Sequence, residues 1–152
     1  MTIENRTSSV GLYNYAHSYA SSAEALSKLE LRITHPSSPV YFLYYHSIEL
    51  YLKSYLVACG VSTDELKKMG HRTRKLAEAV KSFGLNLRDE DEAIIDFMSE
   101  TDAVIESRYI VTGYKGSVPD FQPILDTCRY LHDQIGPKAY EGSGVSRRPT
   151  FK

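Results

Sequence analysis

The sequence predicts an all-α protein, an up-and-down bundle of four to five helices. Three observations carry this. Apolar residues recur at spacings of three and four along most of the 152-residue chain, which is the helical period. No stretch alternates apolar and polar residues as a half-buried strand does. Glycine or proline closes nearly every periodic run, the punctuation expected of helix ends.

The chain opens with a polar N-terminal segment, residues 1–9, in which Ser8 or Ser9 can cap the first helix. From Val10 to Ile33, Leu12, Tyr15, Tyr19, Ala23, Leu26, Leu29 and Ile33 form one apolar line. Pro36 and Pro39 break the chain. The second helix then runs from Pro39 to Cys59, with Pro39 in its first turn and Gly60 as its stop. Ser62 and Glu65 have capping-box spacing, so a short helix reaches about Met69. Another extends from His71 or Thr73 to Phe83 and ends at Gly84. Asp89 or Asp91 caps the next, which places Ile94, Phe97, Met98, Val104 and Ile105 on one side and stops near Arg108 and Tyr109. Residues 110–119 hold Gly113, Gly116 and Pro119 and read as a loop. The last helix spans Asp120 to Ile135, closed by Gly136 and Pro137. The helical domain is thus residues 10–137, with a flexible polar tail over 138–152.

Composition bounds the function. The chain is 42% hydrophobic and 24% charged, with a net charge of −1, so no overall basic field draws it to nucleic acid or anionic lipid. Two cysteines without metal spacing, and no leader peptide, suggest a reduced cytoplasmic protein with structural thiols. The Pro39–Cys59 run carries His, Glu and Lys in its middle, which argues against a membrane span. Twelve tyrosines and no tryptophan suit half-buried grooves and interfaces.

Three groups of residues carry chemistry. His46, Glu49 and Lys53 lie at i, i+3 and i+7, within about 60° of one another on the second helix. That helix is apolar on nearly all sides. These ionisable groups must therefore pair, reach a groove or form a site, and Glu49 to Lys53 is the good order for a plain ion pair. His71 stands after a glycine at a helix start and can face a groove. Around it Lys67, Lys68, Arg72, Arg74, Lys75 and Lys81 form the chain's basic cluster, either a solvated face or a phosphate-contact surface. Arg108 and Tyr109, with Tyr114 and Lys115 after them, suit phosphate and base contact or a helix end. The five histidines lack metal-ligand spacing.

The order HSIELYLKSYLVACG, DELKKMGHRTRKLAEAV, ESRY resembles the HEPN domain superfamily, over about Tyr41 to Arg129. The resemblance implies a bundle of four or five helices, usually a homodimer, and nucleotide or RNA chemistry. Many members are metal-independent RNases of toxin–antitoxin or defence systems that use Arg-x(4–6)-His. Others pair with a small nucleotidyltransferase. Here no arginine precedes any histidine at that distance, and Arg129 to His132 is too short.

The expectation is therefore a HEPN-like domain that binds a nucleotide, RNA or protein partner in a toxin–antitoxin or defence-type context, without the standard RNase activity. Glu49, Lys53, His71, Arg108 and Tyr109 would line its groove. Lys53 and Arg108 would hold phosphate, Tyr109 would stack, and Glu49 would orient Lys53. Two alternatives stand beside it. One is an atypical metal-independent endoribonuclease with His71 and Arg108 as catalytic residues. The other is a structural dimerisation module. Expected partners are a second copy, RNA or nucleotide, or a nucleotidyltransferase-type protein, with no cofactor, metal or membrane.

Overall fold

The computed structural model describes residues 7–106 and 120–152, the last six of the first stretch by backbone alone. Among these residues the protein is all-helical: α1 (Ser9–Ser27), α2 (Ser37–Ala58), α3 (Thr63–Met69), α4 (Thr73–Ser82), α5 (Asp89–Glu106) and α6 (Phe121–Tyr140). These six helices fall on the six periodic runs of the sequence, and two of them, α3 and α4, are short.

α2 is the centre. It packs against α1, α6 and α4, while α5 bridges α4 and α6. Twelve of its residues are buried, from Val40 to Leu56, as a helix apolar on most sides requires. Gly60 ends it with φ of 92°, a backbone state open to glycine at no steric cost. The capping box forms as expected. The Ser62 hydroxyl accepts the Glu65 N–H, and the Glu65 carboxylate accepts the Ser62 N–H.

α1 differs from expectation in both length and face. It ends at Ser27, and Leu29 and Ile33 are exposed beyond it. Its buried stripe is Tyr13, Ala16, Ala20 and Ala23 rather than the larger residues, and Tyr15 is 66% exposed. Small side chains let two helices approach closely. Serines of α2 then use that closeness: Ser47 Oγ donates to the Ala16 carbonyl at 2.7 Å and Ser54 Oγ to the Ser9 carbonyl at 2.7 Å.

α6 also runs further than predicted. Gly136 and Pro137 do not end it, and Tyr140 does. A proline this near the C-terminus removes one hydrogen bond only. The Ser9 hydroxyl satisfies the Ala139 carbonyl at 2.8 Å, and Ala139 is buried.

The N-terminus of α5 is fixed to α6 by a buried carboxylate. Asp91 is fully buried. Its Oδ2 accepts the Arg88 backbone N–H at 3.0 Å and Nε at 2.9 Å. Its Oδ1 accepts Arg88 Nη2 at 2.9 Å and the Thr127 hydroxyl at 2.8 Å. The Arg88 guanidinium lies over the Tyr130 ring at 4.1 Å.

Tyrosines build the core more than its rim. Tyr13, Tyr44 and Tyr51 are almost wholly buried. The Tyr51 hydroxyl donates to His132 Nδ1 at 2.9 Å, and the Tyr13 hydroxyl to the His132 carbonyl at 2.9 Å. Burial raises both phenols further above their ordinary range. It also pushes the Cys128 thiol up to about 12, so that cysteine is inert at neutral pH.

His132 gives the fold a pH dependence of definite sign. Burial lowers its pKa from 6.5 to about 4, although Pro149 O and Asp133 favour the charged ring; His17 and Arg148 act with burial. The unfolded chain therefore binds a proton that the folded chain refuses. The stability that this group contributes is complete above about pH 6.5 and is lost as pH falls toward 4. The full loss is about 3 kcal/mol. Urea denaturation at pH 7 and pH 4 is expected to show this loss in the wild type and a clearly smaller one in His132→Gln. Equal losses in the two proteins would contradict it.

Candidate functional site

Glu49 organises the candidate site. It sits in the middle of α2 and is 7% exposed. The short α3 and the turn at Gly70, with φ of 60°, bring His71 back over α2. His71 Nδ1 lies 2.9 Å from Glu49 Oε1 and 3.0 Å from Oε2. A carboxylate accepts, so Nδ1 donates and Nε2 is left as the open ring nitrogen. The His71 side chain is 74% exposed. Lys53, one turn further along α2, donates to Glu49 Oε2 at 3.2 Å and is itself largely buried.

His46 completes the group from one turn before Glu49. Its Nδ1 lies 4.0 Å from Glu49 Oε2. The Tyr19 ring meets it edge-on at 4.6 Å, and Phe42 stacks beside it at 6.3 Å. Burial lowers the His46 pKa, Glu49 opposes that, and Lys53 and His71 reinforce it. One buried carboxylate thus gathers two imidazoles and an ammonium. It orients His71 as the carboxylate of a carboxylate–histidine pair does.

Of the residues singled out from sequence, the fold brings Glu49, Lys53 and His71 together. Arg108 and Tyr109 lie outside the described residues, as do Tyr114, Lys115 and the rest of 107–119.

The basic cluster is divided. Arg74 Nη1 donates to Glu92 at 2.8 Å and to Glu78 at 3.2 Å, and Nη2 pairs with Asp96. Lys81 reaches Glu92 at 2.7 Å. The hydrogen bonds from Lys81 and Arg74 hold the Glu92 carboxyl below its usual range. These two cations tie α4 to the acidic start of α5. Lys68, Arg72 and Lys75 are exposed, as His71 is.

The His132 network was not found by sequence reasoning. Its one available signal was position. His132 shares the inward face of α6 with Cys128, Leu131 and Ile135, and a histidine there needs buried partners. A shallow groove of about 490 Å³ near Tyr55, Asn86 and Lys138 contains none of the candidate residues. Among the described residues no three His, Cys, Asp or Glu side chains stand together as a metal site. None of the described helices is long and apolar enough to cross a membrane.

No protein-family model matches the chain, nor does any curated protein or solved structure.

Proposed function

We propose that the Glu49–His71–Lys53 cluster binds the phosphate of a nucleotide or of single-stranded RNA, and that the chain is a HEPN-like binding protein. The observation that carries this reading is the hydrogen bond from His71 Nδ1 to buried Glu49. It fixes the ring and leaves Nε2 for a ligand; a phosphate oxygen only accepts, so Nε2 donates to it from the doubly protonated ring. Lys53 balances the charge of Glu49 from within. Lys68, Arg72 and Lys75 are exposed and lie within four positions of His71 in sequence, and exposed cations attract phosphates in a salt-dependent way.

The HEPN-like part rests on the motifs around Glu49, Lys53 and His71, the residues that the fold gathers. On this reading the protein works as a homodimer in a toxin–antitoxin or defence-type setting, with RNA or a nucleotidyltransferase-type protein as partner.

A second reading is favoured by one observation. A carboxylate-oriented imidazole with a second imidazole, His46, on the same carboxylate is an acid–base pair suited to metal-independent RNA cleavage. The two readings separate in one experiment. A mixed RNA pool is incubated with the wild type and with His71→Ala, without added metal, and resolved on a denaturing gel. Binding without cleavage leaves the pool intact with both proteins, while a parallel anisotropy titration shows RNA affinity for the wild type and a much weaker affinity for His71→Ala. Cleavage by the wild type that is lost in His71→Ala selects the second reading. Absence of both affinity and cleavage in the wild type sinks both.

A further inference from the structure

The polar tail ends in a built contact. Gly142 and Gly144, with φ of 70° and 75°, turn the chain after α6. Residues 148–151 then run back over α1 and α6. The Arg148 guanidinium lies against Gly136, where an added Cβ would collide with it and stand 2.8 Å from the Tyr13 hydroxyl. The Pro149 carbonyl accepts from His132 Nε2 at 2.8 Å, and the Thr150 carbonyl from His17 Nε2 at 3.0 Å. A carbonyl only accepts, so both Nε2 atoms carry protons. Tyr51 enforces this tautomer at His132 by donating to Nδ1.

Phe151 occupies the centre of this arrangement. Its ring lies 4.8 Å from the His17 ring, 5.0 Å from the His132 ring and 5.6 Å from the Arg129 guanidinium. A phenyl ring attracts cations only weakly at such separations. Arg129 Nε is buried with no acceptor, and Nη2 reaches Glu24 only at 3.4 Å. A buried N–H without a partner is rare in folded proteins and calls for a cause. The tail supplies oxygens to the two imidazoles and none to Arg129.

We propose that the ground beneath Phe151 is a phosphate-class oxyanion site formed by His17, His132 and Arg129, and that residues 149–151 are its built-in competitor. The two tail carbonyls stand where phosphate oxygens would accept from the imidazoles. A tetrahedral oxyanion has a further oxygen for Arg129, which the peptide lacks. Arg148, seated at Gly136, adds a second guanidinium near His132. Glu24 holds the far side of Arg129, and Asp133 is the other acid near His132. The site is independent of the Glu49 cluster. His17 and Tyr19, which contacts His46, are about 200° apart around α1.

The test is a titration of inorganic phosphate into the full chain at constant ionic strength, with the imidazole resonances of His17 and His132 tracked by NMR. Phe151→Ala is expected to bind phosphate at least roughly tenfold more tightly than the wild type, and adding Arg129→Gln should remove that gain. In the wild type, the Phe151 ring signals should move to their free positions at the same midpoint as the two histidines. Equal affinity in wild type and Phe151→Ala overturns the proposal. So does a gain that survives Arg129→Gln, or a wild-type titration in which Phe151 stays in place while the histidines shift. The wild-type arm decides the matter even if a variant fails to fold.

Discussion

Replacing Asp91 by alanine is expected to lower the unfolding free energy by about 3 kcal/mol, the loss of a buried acceptor of charge-assisted hydrogen bonds. The carboxylate is fully buried and receives four hydrogen bonds, three of them from Arg88. Its loss leaves the Arg88 guanidinium and the Thr127 hydroxyl without their acceptor. It also removes the tie that holds the start of α5 to α6. Thr127→Val deletes a single bond and should cost about 1 kcal/mol. Urea denaturation at pH 7 measures both. An Asp91→Ala loss no greater than that of Thr127→Val would show that the carboxylate is not what fixes α5.

Glu49→Leu is expected to destabilise the protein by about 3 kcal/mol, because it leaves Lys53 charged and buried with no counter-charge. The paired change Glu49→Leu with Lys53→Met should recover most of that loss, since a buried ion pair and an apolar pair of similar volume are nearly equivalent in stability. Ligand affinity should behave differently. Both variants release His71 from its carboxylate, so both should lose RNA binding. A purely structural role predicts the same recovery of stability but RNA affinity unchanged from the wild type in the paired variant.

The site was legible where chemistry and periodicity coincide. His46, Glu49 and Lys53 share one line of α2 by spacing alone, and the glycine before His71 marked a turn able to bring that ring back. Helix ends marked by glycine at positive φ were equally clear, as at Gly60 and Gly84. The errors came where tertiary contacts outweigh local pattern. The buried face of α1 is alanine and Tyr13, because close approach to α2 matters more there than side-chain size. α6 passes through Gly136 and Pro137 because Ser9 and the core hold its last turn. The contacts of residues 148–151 depend on a notch at Gly136 and on two histidines more than a hundred positions apart. No local composition carries that information, and a Gly-, Ser- and Arg-rich segment reads as unattached.

The most direct measurement is the affinity of a short single-stranded RNA for the wild type and for His71→Ala, both shown by circular dichroism to be equally helical. The expected result is measurable, salt-dependent binding by the wild type. His71→Ala should be weaker by roughly ten- to a hundredfold, as loss of one hydrogen bond to a charged group implies. Absence of binding by the wild type, or equal binding by the two proteins, would contradict the assignment of the Glu49–His71 pair as a phosphate-binding site.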